Sequence, residues 1–286
     1  MKRILVPVDF SPNSQKAARY AVDIASRSGA AIILYHLFRP LKASEAGVVF
    51  NVDDHNRSLQ EILLKRLQRL QKKVLTDTNV NVPVSAHVGR IPIVKNIIDF
   101  ADENYIDLVV MGTKGASGLK KITLGSNASK IIQRSKIPVL LIPEKFKWKK
   151  PAKILFTTAI HKSDNDAIPI LSELSGIYNA EITMVNLRDP QQPETMKDKK
   201  EFERHVSAMQ KTFENTKFQL RQIDTFSISK TIRDLYREIP YDILVMIRRR
   251  KSLIQKIFVE SFTKNMAFIT SNPLLIVPQQ NKLPKS

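Results

Sequence analysis

Short apolar runs alternate with amphipathic stretches along the first half of the chain. Five runs rich in β-branched residues have the length and composition of strands: 3–10, 30–38, 80–89, 106–112 and 137–143. Between them, apolar positions recur at helical spacing, which predicts helices over 14–29, around 58–76, over 92–104 and over 126–135. Strands that alternate with helices predict an α/β fold with a parallel, doubly wound sheet.

The second half of the chain repeats this order of elements. Its apolar runs fall at 152–159, 180–187, 217–224, 241–247 and 272–278. Asp107 and Asp242 are 135 positions apart, whereas Ile4 and Ile154 in the first strands are 150 apart. The chain therefore resembles a duplicated unit whose second copy is about 15 residues shorter. We expect the missing residues to come from the segment between its second strand and its second helix.

The duplication predicts two tandem domains, each with a five-stranded parallel sheet. Their predicted bounds are 1–146 and 152–280, and the polar, basic segment "FKWKKPAK" at 146–153 is the natural linker. At 286 residues the chain is long enough for each domain to bury its own core.

The loop after the fourth strand, "MGTKGASGLKKITLGSN" at 111–127, contains four of the chain's eight glycines. Open parallel sheets bind ligands at the carboxyl ends of their strands, and this loop begins there. Glycines let backbone N–H groups approach a phosphate, and Ser126 begins a predicted helix whose first N–H groups favour an anion. Asp9, after the first strand, offers a carboxylate to ribose hydroxyls or to an exocyclic amino group. The P-loop and dinucleotide patterns do not occur, and glycines alone are also consistent with an ordinary turn.

The spacing within this loop resembles a known nucleotide signature. Gly112, Gly115, Gly125 and Ser126 follow "DLVVM" as G-x2-G-x9-G-[ST], which is similar to the signature of the universal stress protein family. The opening "ILVPVDFSPNSQKAARYA", the "HL" pair ending the second strand and "SKIPVLLIP" agree with it. The resemblance covers both halves in order. It implies a tandem member with a Rossmann-like fold of the adenine nucleotide alpha hydrolase type, which binds ATP with or without Mg²⁺.

The resemblance also implies which residues hold the nucleotide. Nine positions match the family's site, and Lys114 within the loop is an additional candidate, which gives ten candidate residues: Pro7, Asp9, Leu37, Met111, Gly112, Lys114, Gly115, Gly125, Ser126 and Asn127. In the family's arrangement Pro7 and Leu37 line the base pocket, and Asp9 meets the adenosine. Met111 and Gly112 lie beneath the ribose, and Gly115, Gly125, Ser126 and Asn127 hold the phosphates. Lys114 would add a further phosphate contact. Core packing also explains the three apolar positions, helix capping also explains Asp9, and a merely solvated side chain also explains Lys114.

The second copy lacks most of these residues. Aligned at the two spacings, Pro7 is replaced by Thr157, Asp9 by Ala159, Gly112 by Ile247, Gly115 by Arg250, Gly125 by Glu260 and Asn127 by Phe262, while Ser126 is kept as Ser261. Side chains would fill the space that phosphates need, and Glu260 would repel them. We therefore expect no ATP binding of this kind in the second domain. The basic loop Arg248–Lys251 is consistent with another anion site, with contact to the first domain or with plain solvation.

Composition narrows the possible functions. The chain has no cysteine, and its five histidines lack the i, i+4 spacing of a helical metal site, so we expect neither thiol chemistry nor a metal centre. No catalytic motif is found, which favours a regulatory stress-response protein over an enzyme that transfers an adenylyl group. Slow ATP hydrolysis or autophosphorylation at Ser126 is an alternative. A second alternative is a nucleotide-independent scaffold, because the net charge of +19 attracts nucleic acid non-specifically.

Location and self-association are also expectations at this stage. No apolar run reaches the roughly 20 residues that a membrane span needs, and the N-terminus lacks a signal-peptide core, so we expect a cytoplasmic protein. The segments "IPVLLIP" and "NPLLIVP" are apolar fifth strands bracketed by prolines. The resemblance implies that they pair within the chain as a pseudo-dimer, and it leaves room for a homodimer.

Overall fold

The computed structural model describes residues 1–42, 44, 51–113, 126–158, 162–188, 190–191, 196–214, 216–226, 231, 234–235, 238–248 and 272–280. These residues form two compact units, one that ends at Glu144 and one that begins at Lys145. Each unit contains five parallel strands with helices between them, so the predicted fold class is confirmed.

The first unit contains a sheet with the strand order β3-β2-β1-β4-β5. The strands are β1 (Arg3–Pro7), β2 (Ala31–Phe38), β3 (Val84–Arg90), β4 (Leu108–Gly112) and β5 (Val139–Ile142). All of β5 and all of β4 except its last residue are buried. This burial is typical of parallel strands that are covered by helices on both faces.

Helices α1 (Pro12–Ser28), α2 (Val52–Thr78), α3 (Ile93–Glu103) and α4 (Ser126–Arg134) belong to the first unit. The Ser11 side chain caps α1 by accepting a hydrogen bond from the Ser14 N–H, and the helix ends at Gly29, whose φ of 72° suits a glycine. Helix α2 begins six residues before its predicted start at 58. The Asn51 side chain caps it there by accepting from the Asp54 N–H.

The second unit has the strand order β10-β9-β6-β7-β8. Its strands are β6 (Lys153–Thr158), β7 (Glu181–Arg188), β8 (Phe218–Asp224), β9 (Ile243–Arg248) and β10 (Leu274–Pro278). A 3-10 helix (Lys162–Ala167) and α5 (Ile168–Tyr178) follow β6, and α6 (Met196–Thr212) follows β7. Among the described residues, no helix combines the length and the apolar character that crossing a bilayer requires.

The two units differ in length mainly at their second helix. Helix α6 has 17 residues and α2 has 27. Most of the residues that the second copy lacks are therefore missing from the helix itself. The segment before the helix is shorter as well, with seven residues at 189–195 against thirteen at 39–51, so the prediction that residues are missing there is correct in part.

The same aspartate position holds the first strand of each unit. Asp107 Oδ2 accepts two backbone N–H hydrogen bonds from the start of β1, at 2.5 and 2.9 Å. Asp242 Oδ2 accepts two from the start of β6, at 2.7 and 2.9 Å. The shared spacing of these aspartates in the sequence thus reflects a shared hydrogen-bonding role.

Candidate functional site

A cavity of about 180 Å³ opens at the carboxyl ends of β1 and β4 in the first unit. These strands are neighbours, and the chain winds away from them in opposite directions, which is where open α/β sheets bind ligands. Seven of the ten predicted site residues line this cavity: Pro7, Asp9, Leu37, Met111, Gly112, Ser126 and Asn127. The other three, Lys114, Gly115 and Gly125, lie outside the described residues.

Asp9 lies in the turn that joins β1 to α1, and its side chain is exposed. Its Oδ1 accepts a hydrogen bond from the Ser11 N–H at 3.0 Å, which closes a short turn before the helix. Ser11, and not Asp9, caps α1 through its own hydroxyl. Helix capping therefore does not account for Asp9, although Asp9 does order the turn that leads into the cap.

One wall of the cavity is apolar and is built from both the sheet and its helices. The Tyr35 ring of β2 stacks on Phe100 of α3, with ring centroids 4.3 Å apart. Burial raises the pKa of the Tyr35 hydroxyl above its ordinary value, so it stays protonated at neutral pH. Five apolar residues from β2, β4, α3 and α4 complete this wall: Leu37, Met111, Ile93, Ile97 and Ile131. The motif identifies only Leu37 and Met111 among them, because the others resemble ordinary core positions.

Gly112 at the end of β4 is constrained by packing. A Cβ at this position would lie 2.6 Å from Nδ2 and 2.9 Å from Cγ of Asn13. Asn13 is only 5% exposed and lies in the first turn of α1. The absence of a side chain at Gly112 thus lets α1 approach β4 closely, whether or not a ligand is bound.

Helix α4 begins at the cavity with Ser126 and Asn127, both of which are exposed. The first N–H groups of a helix have no partner within it, and the helix dipole places partial positive charge there. Behind them, Ala128 and Ile131 are buried and fix the helix against the unit. The exposed end of α4 is therefore suited to an anionic group.

His36 of β2, the first residue of the "HL" pair, also lines the cavity, although it was not among the ten predicted site residues. Its Nδ1 lies 2.7 Å from the Val8 carbonyl oxygen, and its ring centroid lies 4.5 Å from that of Phe10. Burial lowers the pKa of His36, and the nearby Arg66 lowers it further. The Val8 hydrogen bond and the Asp9 carboxylate act in the opposite direction. Neutral imidazole is thus the favoured state at neutral pH.

Comparison with known proteins identifies the family. A family model described as the universal stress protein family matches residues 1–143. The chain belongs to this family. A universal stress protein of Methanocaldococcus jannaschii is 28% identical to it over 159 residues, which cover 53% of this chain and 84% of that protein. The universal stress protein YxiE of Bacillus subtilis is 30% identical over 152 residues, which cover 49% of this chain and 97% of that protein.

The likeness of this universal stress protein to a solved structure extends over both units. The crystal structure of a universal stress protein from Archaeoglobus fulgidus matches 98% of this chain and 97% of its own, with a TM-score of 0.66. The sequences are 18% identical, so the match concerns the fold alone. It supports the interpretation of the chain as two such units in tandem.

In the second unit of this universal stress protein, the positions aligned with the cavity contain buried side chains. Ile247, which is 1% exposed, stands in β9 where Gly112 stands in β4. The Thr158 hydroxyl donates a hydrogen bond to the fully buried carboxylate of Asp164, and His205 Nε2 lies 3.6 Å from the same carboxylate oxygen. This end of β6 thus contains a hydrogen-bonded Thr158–Asp164 pair, with the His205 ring beside it.

Several predictions for the second unit fall outside the described residues. They concern Ala159, the loop positions 249–251, and Glu260, Ser261 and Phe262. Arg248, the first residue of the basic loop, is the last residue of β9.

Proposed function

We propose that the first unit binds ATP in the cavity at the ends of β1 and β4, and that the protein is a nucleotide-dependent regulator in a stress response. One observation supports this most directly. Residues that match the family's nucleotide signature come from β1, β2, β4 and α4, and they meet around one cavity where the winding of the sheet reverses.

The chemistry of the cavity suits each part of an adenine nucleotide. The apolar wall offers a surface for the base, and the exposed Asp9 carboxylate accepts hydrogen bonds from ribose hydroxyls or an exocyclic amino group. The start of α4, with Ser126 and Asn127, supplies donors for the phosphates. The family pattern assigns Gly115 and Gly125 to the phosphates as well, and Lys114 in the same loop is a further candidate for a phosphate contact.

In this proposal the second unit has an architectural or regulatory role and does not bind ATP. The buried Ile247 in place of Gly112 supports this part of the proposal. We also propose domain bounds of 1–146 and 152–280, pairing of the two fifth strands, and a cytoplasmic location. Catalysis is not part of the proposal, and a slow ATPase remains the alternative to pure binding.

Calorimetric titration of the full chain with ATP, with and without Mg²⁺, tests the proposal. We expect a stoichiometry near one. Asp9→Ala should weaken binding about tenfold or more, because it removes a charged acceptor, and Gly115→Arg should abolish it. Asp53→Ala is the matched control, since Asp53 is an exposed aspartate in the first turn of α2.

Three results would contradict the proposal. Absence of ATP binding in the wild type would exclude the function itself. Equal affinity in wild type, Asp9→Ala and Gly115→Arg would exclude this cavity as the site. A stoichiometry near two would show that the second unit also binds. Phosphate release measured in parallel separates binding from slow hydrolysis.

A further inference from the structure

We propose that His36 is a positioning residue for Asp9, and that protonation of His36 weakens nucleotide binding. This inference rests on the proposed ATP site, because it concerns how that site holds its carboxylate. Asp9 has an exposed side chain in a turn, so something other than burial must fix its direction. The Ser11 N–H holds one carboxylate oxygen, and the structure assigns to His36, Phe10 and Arg66 the task of fixing the chain on either side of Asp9.

His36 fixes the residue before Asp9. Strand β1 ends its pairing with β2 at Pro7, opposite Tyr35. Beyond that point, the Val8 N–H donates to the Tyr35 carbonyl at 2.8 Å, and the Val8 carbonyl lies 2.7 Å from His36 Nδ1. A carbonyl oxygen can only accept, so Nδ1 carries the proton and donates. Both backbone groups of Val8 therefore bond to β2. The N–H bonds to the Tyr35 carbonyl, and the carbonyl bonds to the His36 imidazole.

Phe10, the residue after Asp9, is held by His36 and Arg66. Phe10 has a φ of 62°, in the left-handed region that bulky side chains disfavour, so its conformation needs support from its surroundings. Its ring packs against His36 at a centroid distance of 4.5 Å. The Arg66 guanidinium carbon, from α2, lies 4.1 Å from the centroid of the same ring. The His36 imidazole thus contacts the chain on both sides of Asp9.

The second copy of the duplication indicates that Asp9, Phe10 and His36 act together. At the spacing of 150, Val8, Asp9, Phe10 and His36 align with Thr158, Ala159, Ile160 and Asn186. The pairing of Thr157 with Val185 in β6 and β7 matches that of Pro7 with Tyr35, so this alignment follows the sheet register. Where the carboxylate is lost, the imidazole and the aromatic ring are lost with it.

Protonation changes the charge next to Asp9 without removing the hydrogen bond to Val8. Nδ1 already donates in the neutral ring, so the added proton goes to Nε2. The charged groups that act on His36 are Arg66 of α2 and Asp9 of the turn. An imidazolium repels Arg66 and attracts the Asp9 carboxylate. The imidazolium therefore competes with the ligand for that carboxylate. Affinity should therefore be constant at neutral pH and fall as pH drops through the pKa of His36, which burial holds below its ordinary value.

Two substitutions at His36 separate its hydrogen bond from its charge. His36→Asn places an amide N–H₂ near the position of Nδ1 but cannot be protonated in this range. His36→Leu removes the donor. His87→Asn is the control, since His87 is an exposed histidine that packs edge-on against Phe100 and has no contact with the turn among the described residues. Adenosine is the probe, because ATP phosphates titrate near the same pH and adenosine does not.

At neutral pH we expect His36→Leu to bind adenosine about tenfold more weakly than wild type, and His36→Asn to lose no more than about threefold. As pH falls from neutral through the lowered pKa of His36, the wild type and the His87→Asn control should lose affinity, while His36→Asn should stay nearly constant. Equal affinity of His36→Leu and wild type, or the same pH profile in His36→Asn and wild type, would overturn the inference. Thermal unfolding of each variant shows whether it is folded.

Nitrogen-15 NMR of the ligand-free protein tests the inference independently of nucleotide binding. The neutral His36 ring should carry its proton on Nδ1, and the Ser11 amide that bonds to Asp9 should shift with the titration of His36 in wild type but not in His36→Asn. A neutral ring protonated on Nε2, or a Ser11 amide that does not follow His36, would refute the positioning role. Failure of wild type to bind ATP would instead count against the proposed function.

Discussion

The clearest test of how the site is built is the substitution Gly112→Ala. Gly112 matches the family's nucleotide signature, yet its position in the structure also requires that it have no side chain. The added methyl group would lie 2.6 Å from Asn13 Nδ2, 2.9 Å from its Cγ and 3.2 Å from its backbone carbonyl carbon. Ordinary carbon contacts are about 3.5–4.0 Å. The side chain of Asn13 could rotate away, but the backbone carbon belongs to the first turn of α1 and cannot.

The expected cost follows from this geometry. Overpacking of a filled interior by one methyl group costs about 1–3 kcal/mol, and Asn13 is 5% exposed, so it has little room to move. We expect Gly112→Ala to lower the free energy of unfolding of the first unit by about 2 kcal/mol. Adding Asn13→Ser should recover most of this loss and leave the part that comes from the backbone contact.

Hydrogen–deuterium exchange of the full chain, followed by mass spectrometry on peptides from β1, β4 and α1, measures this effect within the first unit. Exchange in these peptides should be faster in Gly112→Ala and should slow again in the double variant. Gly176→Ala is the matched control, because a methyl group at Gly176 in α5 meets nothing within 4 Å. That change should stabilise its helix by about 1 kcal/mol.

Two outcomes would refute this reasoning. If Gly112→Ala leaves exchange unchanged and lowers only ATP affinity, the glycine serves the ligand and not the packing. If Asn13→Ser fails to relieve the loss, the close contact is not with the Asn13 side chain. Coupling between the two substitutions above about 0.5 kcal/mol is the expected sign of direct contact.

Three further predictions concern two sets of hydrogen bonds that stabilise the fold and the apolar wall of the cavity. Asp242→Asn should lower the stability of the second unit by about 1–3 kcal/mol in urea denaturation, and by more than Asp107→Asn lowers that of the first, because Asp242 is 7% exposed and Asp107 is exposed. Ser11→Ala should lower the free energy of unfolding of the first unit by about 1 kcal/mol through loss of the α1 cap, which should lower the urea concentration at the unfolding midpoint. Gly89→Ala should displace Tyr35 from the wall and weaken ATP binding in calorimetry, because the new Cβ would lie 2.9 Å from two Tyr35 ring carbons.

The fold was predictable where the signals are local. The end of α1 could be placed because Gly29 follows an amphipathic run, and it adopts the left-handed φ that such a cap requires. The start of α2 could not, since its cap, Asn51, lies in a stretch without periodic apolar residues. The origin of the length difference was predicted only in part for a related reason. Spacing between matched strands gives the number of missing residues but not the element that lost them.

The site was predictable only where a residue belongs to a motif. Gly112 could be placed at the cavity from the glycine spacing and Asp9 from its position after the first strand. Ile93 and Ile97 could not, because an apolar residue on the inner face of a helix has the same pattern whether it packs in a core or lines a cavity. Asn13 was missed for another reason. Its contact with Gly112 joins segments that are far apart in sequence.

The two ends of the strands explain how, in the proposed function, the second unit can lack the site and keep the fold. Asp107 and Asp242 act at the amino ends of the strands, where both units hold their first strand in the same way. The cavity lies at the carboxyl ends, and there the aligned Ile247 and Thr158 are buried. Because backbone hydrogen bonds along the strands do not depend on the side chains at and beyond their carboxyl ends, substitutions there can fill a ligand site without disturbing the sheet. Restoring binding to the second unit would therefore require the whole set of turn residues, and Ala159→Asp alone should leave the ATP stoichiometry near one.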